Sequence, residues 1–476
     1  MAKFIEQNSK NILPLIFYFC KPIKSAVKNI GEAKLKYTIC SFTNTNKYAT
    51  CEFRKQIING FNLTGYKVIC FFLITSLLSC VSKKAYYEIR CQKSFINSDT
   101  SLFYLPYASL DKIKNNLDSV GNQIASWKLV NIGEYKEAQT YFDIGRTSPD
   151  SLQKINPLLD SLKIKDALSF IDSISKCNAI IFINEAHHRS DHRFFILQIL
   201  PILAKNGFTY FGMEAFNNSD SLISERGFPL IKSGFYTQDP IYGRVLRCAI
   251  ENKFKIFGYE ANSDHNTAAD REQQQAENII KNTSGDKNAK ILIYGGFDHI
   301  RKDSSLSKSW GKLAMAGRYI KMTGKSVVSI DQYTFSDKMN LHPFYSHLVT
   351  NQPTVPYLKD RMFSDPYSKK GFDYYIIHPS LKKDRLSNLV DWKGKLSEKT
   401  QYLYFKKNIY TQYDGGLLLA YILKETKNYA LKDLIPYDVV SIKKDLIVPL
   451  CLAKDVDYLI ILKDKFGKNE RCFKTK

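Results

Sequence analysis

Glu185, His187, His188 and His192 fall within eight consecutive positions, which hold three of the chain's eight histidines. They follow the apolar run Ile180-Ile181-Phe182-Ile183 with only Asn184 between. A carboxylate within reach of an imidazole can move a proton. The imidazole takes it from water, and the carboxylate fixes the tautomer and stabilises the imidazolium. A buried strand ordinarily ends in turn residues, because ionisable groups at its mouth cost desolvation free energy unless they are engaged. This end of the run therefore reads as a candidate active site.

The elements around it must bring partners to the same place. From about residue 178, strand-like apolar runs at Ala179–Asn184, Thr209–Met213, Lys255–Tyr259, Lys290–Tyr294 and Ser326–Ile330 alternate with helical stretches. The helices read as Arg193–Lys205, Tyr242–Asn252, Ala268–Lys281 and Lys312–Met322. That alternation predicts an α/β fold, a mostly parallel sheet with helices on both faces. Open parallel sheets bind ligands beyond the carboxyl ends of their strands. Just past the five runs stand Glu185 with His187 and His188, then Glu214, then Glu260, then Asp298 and His299 after Gly295-Gly296, then Asp331. One shared cleft is the expectation.

Within it, His187, Glu185, Glu214 and His299 have the makings of general acid–base hydrolysis. Arg271-Glu272 opens a predicted helix near the same edge. Its guanidinium could clamp a carboxylate or steady an oxyanion, or simply pair with Glu272 or Asp270. His188, Glu272, Glu260 and Asp298 are the expected substrate contacts. His188 and His192 are four apart, a metal-ligand spacing only if both are helical, and Ser190-Asp191 reads as a helix start. No HExxH motif occurs, and no metal is expected.

The remaining chain divides into three parts. Residues 81–175 read as a helical preface, with helices at Tyr104–Leu117, Ser126–Phe142 and Asp150–Lys176; Gly133-Glu134-Tyr135 resembles the turn of a helical hairpin. Residues 176–340 form the α/β core. Residues 341–476 read as a small β-rich module, in which Phe372–Pro379 is one more strand and Asp464 with Gly467 supply a hairpin turn. The formal charge of +23 is spread along the chain without a basic stripe interleaved with aromatics, so no nucleic-acid partner is expected. The ten cysteines include no CxxC pair, which supports neither a zinc knuckle nor a redox motif.

Residues 66–80 read as the tail of a secretory signal, an apolar stretch too short to span a bilayer. Leu77-Leu78-Ser79-Cys80 resembles a bacterial lipobox, which implies a lipidated Cys80 and a polar tether after it. The expectation is a lipoprotein of the periplasm or outer membrane of a Gram-negative bacterium, held to the membrane through Cys80. Residues 1–62 read as an extension upstream of the native start.

Four motifs in order, Asn-Glu-Ala-His-His at 184–188, Gly-Met-Glu at 212–214, Arg-Glu at 271–272 and Gly-Gly-Phe-Asp-His at 295–299, resemble those of the erythromycin esterase / ChaN-like superfamily. The resemblance covers roughly residues 175–335. Esterase-like members open an ester without a metal, a histidine serving as base for water. By motif position that base is His187, with Glu185, Glu214, Arg271 and His299 around it. ChaN-like members are lipid-anchored haem-binding proteins, which implies the alternative: a small-molecule binder without catalytic activity, a histidine or Tyr294 holding iron. Asn184, where a glycine is usual, and the second histidine at 188 depart from the pattern.

Overall fold

The computed structural model describes residue 104 and residues 119–144, 162–262, 267–336, 348–358, 361–362, 371–381, 390, 392–393, 400–405 and 407–475. The signal and lipobox ending at Cys80, the residues before it, the predicted helix after Tyr104, and His265, His342 and His347 lie outside the described residues. All described residues belong to one compact unit, Lys83–Lys476.

The fold is α/β. Its centre is a six-stranded parallel sheet built from β2 (Ile180–Glu185), β3 (Tyr210–Met213), β4 (Lys255–Gly258), β5 (Ile291–Gly296), β6 (Val328–Asp331) and β9 (Tyr374–Tyr375). Their order across the sheet is β4-β3-β5-β2-β6-β9. Both faces are covered, which is why these strands read as continuous apolar runs rather than as alternating ones. Ile181 and Ile183 of β2 pack with Phe195, Ile199 and Val245 of α4 (Ser190–Lys205) and α5 (Pro240–Glu251). Ile180 and Phe182 face the opposite layer, with Ile279 and Tyr319 of α6 (Ala268–Thr283) and α7 (Met315–Thr323). Glu185 shares the parity of Ile181 and Ile183, which directs it toward α4 and α5.

Two short helices, α1 (Ser119–Asn131) and α2 (Tyr135–Asp143), form the hairpin expected around Gly133. Gly133 has φ +81, and a Cβ there would stand 2.6 Å from the Val439 carbonyl oxygen, so only glycine fits this turn against the C-terminal module. The helix expected up to Lys176 begins later. Leu162–Asp166 is instead a strand, β1, paired antiparallel with β7 (Thr354–Leu358), which pairs in turn with β8 (Arg361–Met362). Asp166 then caps α3 (Ala167–Cys177), its side chain accepting from Ser169 N at 2.8 Å.

The C-terminal module is β-rich as expected. Antiparallel strands β11 (Leu417–Ile422), β12 (Asp438–Ser441), β14 (Tyr458–Lys463) and β15 (Asn469–Lys474) form one sheet, and β10 (Thr400–Tyr404) pairs with β13 (Pro449–Ala453). Asp464 closes the β14–β15 hairpin, its side chain accepting from Phe466 N and Lys468 N at 2.8 Å each. The module is not set apart from the rest. Leu417, Leu419 and Val439 share a core with Leu129, Tyr135 and Phe194, and Arg247 of α5 makes a two-pronged ion pair with Glu425, both side chains buried. Among the described residues no helix is long and apolar enough to cross a membrane.

Candidate active site

Parallel register brings the strand ends level. Glu185 lies opposite Gly296, and Met213 opposite both Tyr294 and Gly258. The residues just beyond, Glu214, His187 and His299, therefore meet at one rim, next to β5, where the strand order reverses.

At its centre is a carboxylate–imidazole pair. His187 Nδ1 is 2.9 Å from Glu185 Oε1. Glu185 is held from the other side by Arg193, whose Nε and Nη2 donate to its two oxygens at 2.8 Å each, and by the Tyr294 hydroxyl. Arg193 also donates to the His187 carbonyl and to Asp239 Oδ2, at 2.8 Å each. Asp239 is itself fixed as the N-cap of α5, accepting from Ile241 N at 3.0 Å. Arg193 is 1 % exposed and Glu185 2 %. Burial alone would raise the Glu185 carboxyl, but the Arg193 charge and hydrogen bonds, with His187, bring it down to about 2. Glu185 is thus a fixed anion, suited to orient an imidazole.

The His187 ring is clamped by aromatic neighbours. It stacks on Tyr236 with centroids 3.9 Å apart and meets Phe297 edge-on at 5.1 Å and Trp127 edge-on at 6.2 Å. Its Nε2 has no hydrogen-bond partner among the described residues. That edge lies over Gly296, where a Cβ would come within 2.5 Å of Nε2 and 3.3 Å of Glu214 Oε2. Gly296 is therefore what lets His187 and Glu214 approach one another.

A second charged group sits alongside. Arg271 donates from Nη2 to Glu214 at 2.9 Å and from Nε to Glu260 at 2.9 Å, while Nη1 is 3.1 Å from His299 Nε2. Thr267 caps α6 by accepting from Asp270 N at 3.1 Å, which sets Arg271 in the first turn, facing the rim. His299 Nδ1 is 2.6 Å from Glu272, which also accepts from Met315 N at 2.7 Å. Burial would raise the Glu214 carboxyl, yet His299, His187 and Arg271, with the Gly296 N–H, bring it down to about 2. Burial pulls His299 the other way, but Glu214 and Glu272 outweigh it and raise its pKa.

Of the expected residues, Glu185, His187, Glu214, Arg271, His299 and Glu260 converge. His188 does not: it is 1 % exposed and stacked on Phe142 with centroids 3.5 Å apart, so it faces packing rather than a substrate. Glu272 is equally buried, and its oxygens serve His299 and the start of α7. Asp298 turns outward, half exposed, toward Arg301 at 3.8 Å. Asp331 is buried, bonded to Asn184 and to Thr334 N. His192 is fully buried, bonded to Ala186 N and Ser336, and His188 lies outside α4, so the two do not form a helical ligand pair. Among the described residues no cluster of three potential metal ligands occurs.

The sequence reading passed over Arg193, Asp239 and Tyr236. Arg193 sits eight residues after Glu185, in the first turn of the helix that follows β2; its position was visible, its partner Asp239 was not. Beyond the rim opens a cleft of about 1110 Å³, with Glu214, Glu260 and Arg271 at its inner end and Tyr236 on its wall.

No family model matches the chain, and no curated protein matches it. Two solved structures share part of its path. The type III effector HopBA1 is 11% identical with a TM-score of 0.29, the match covering 47% of this chain and 99% of that one. RRSP, a MARTX toxin effector domain from Vibrio vulnificus CMCP6, is 13% identical with a TM-score of 0.23, covering 42% of each chain. Likenesses this slight carry no argument about fold or function.

Proposed function

We propose that the protein is an erythromycin-esterase-like hydrolase that activates water with His187, without a metal, on an ester-like bond. The Glu185–His187 hydrogen bond carries this reading. With Nδ1–H donating to Glu185, the lone pair is on Nε2, over Gly296 and on the side of Glu214, and is left to take a proton. Water attacks the carbonyl carbon as Nε2 removes its proton. The oxyanion then collapses, the C–O bond to the leaving group breaks, and that oxygen takes the proton back from His187.

Arg271 supplies charge for the oxyanion. Three of its five N–H groups donate to Glu214 and Glu260, which leaves Nη1, 3.1 Å from His299 Nε2, for the developing charge. His299 and Glu214 hold that guanidinium in place.

Haem binding is the alternative, and two of its candidate iron ligands are already engaged. Tyr294 is 1 % exposed and bonded to Glu185, and His299 is enclosed by two carboxylates and a guanidinium. Lipid anchorage through Cys80 in the periplasm or outer membrane remains part of the proposal, resting on the sequence motif alone.

The test is turnover of chromogenic esters with chelator present. His187→Ala should lower kcat/KM by about 10²–10⁴. Unchanged turnover in that variant, or a Soret band on adding haemin that His187→Ala removes, would overturn the hydrolytic reading.

A further inference from the structure

The cleft beyond the rim is larger than hydrolysis of a small ester requires, and its outer wall comes from two distant parts of the chain. One is the loop Leu230–Gln238, the other the Tyr429–Asp433 turn of the C-terminal module. They are joined by a backbone bridge between Leu230 and Leu434, and the Arg247–Glu425 pair fixes the segment that leads into the turn. Gln238 is tied in turn to the preface, its carbonyl accepting from the Tyr104 hydroxyl at 2.7 Å. This wall is built, not incidental.

Its chemistry differs from that of the inner end. At the rim, Glu214 and Glu260 are matched by Arg271, with His299 beside them. The outer wall carries two exposed lysines, Lys232 and Lys432, against one acid, Asp433. Neither lysine has an ion-pair partner among the described residues; the carboxylate whose charge Lys232 feels, Asp220, is already paired with Arg226, so positive charge is in excess there. Phe235 is 58% exposed at the same wall, next to Tyr236. An exposed aromatic ring on the same wall as two cations without ion-pair partners suits a ligand with a flat apolar body and an anionic group.

We infer that this outer half is a substrate subsite for an aromatic, carboxylate-bearing portion of the ester, with the ring against Phe235 and Tyr236 and the carboxylate at Lys232 and Lys432. The inference rests on the hydrolytic reading for the word substrate, while the subsite itself can be tested by binding alone.

The full chain is titrated with 4-phenylbutyrate and with its neutral isostere 4-phenylbutanamide, at low and at high salt. The anion should bind at least about 5-fold more tightly at low salt, and the gap should close at about 0.5 M salt, where screening is nearly complete. The double variant Lys232→Gln/Lys432→Gln should lose the gap but keep the amide's affinity, and Phe235→Ala should weaken both probes. Octanoate, with the same charge and no ring, should bind more weakly than 4-phenylbutyrate. His187→Ala, folded and inactive, should retain the full contrast, which separates the subsite from the chemistry. Equal binding of acid and amide, a gap untouched by the lysine substitutions, or octanoate binding as tightly as 4-phenylbutyrate would each overturn the assignment. If the binding contrast holds while no ester is turned over, the hydrolytic reading fails and the subsite stands.

Discussion

Replacing Arg193 by methionine keeps most of the side-chain volume and removes the charge that holds two buried carboxylates. In the native chain the Glu185 carboxyl falls from an ordinary 4.5 to about 2. At about 1.36 kcal/mol per unit, that drop corresponds to about 3 kcal/mol of native-state stability, in the range of about 3–5 kcal/mol for breaking a buried ion pair. The direction with pH follows. A carboxyl depressed on folding adds stability above its unfolded value and loses it as pH falls through the folded one, here between about 4.5 and about 2. Arg193→Met should therefore be less stable by about 3 kcal/mol at pH 7, and the gap should narrow toward pH 2. Asp239, whose carboxyl burial already raises, would take up a proton in the variant. Urea unfolding at a series of pH values measures both the gap and its slope. A difference below about 1 kcal/mol at pH 7, or one that stays constant as the solution is acidified, would refute the claim that Arg193 pins the Glu185–His187 pair.

Gly296→Ala puts a methyl group 2.4 Å from His187 Cε1, so the imidazole must leave Glu185; ester turnover should fall about 100-fold or more in a protein that still folds, read from kcat and circular dichroism together. His299 gains stability from its carboxylates because its pKa is raised on folding. That contribution is complete below an ordinary 6.5 and is lost as pH rises through the folded value. Thermal midpoints should therefore decline on the alkaline side in the native chain and decline less in His299→Gln. Gly133→Ala forces a side chain into the Val439 carbonyl at a positive φ and should cost about 1–3 kcal/mol, measured by urea unfolding, with turnover per folded molecule unchanged.

The parallel sheet was legible because its strands are buried on both faces: an unbroken apolar run such as Ile180–Ile183 has little alternative. The rim was legible for a related reason, since Glu214 and Glu260 directly abut such runs. Strand β1 was not. Leu162-Lys-Ile-Lys-Asp is short and mostly exposed, and its pairing comes from Thr354–Leu358, far along the chain. The roles of neighbouring residues were not legible either. His187 and His188 are adjacent and alike, yet one points to Glu185 and the other stacks on Phe142. Asp298 and His299 diverge in the same way after the turn at Gly296. Arg193 escaped notice because a cation in an early helical turn is ordinarily solvated, and its burial follows from two carboxylates, Glu185 at the end of β2 and Asp239 brought in by α5.

Strand β5 lies between β2 and β3 in space although it follows both in the chain. Until residues 291–296 emerge and insert, Glu185 and Glu214 belong to two unjoined edges, and neither His299 nor the Gly296 amide exists to complete them. A nascent polypeptide thus has no working centre, however much of its first half has been synthesised. Until that insertion, two apolar strand edges stand open during synthesis, an interval in which the chain is exposed to self-association.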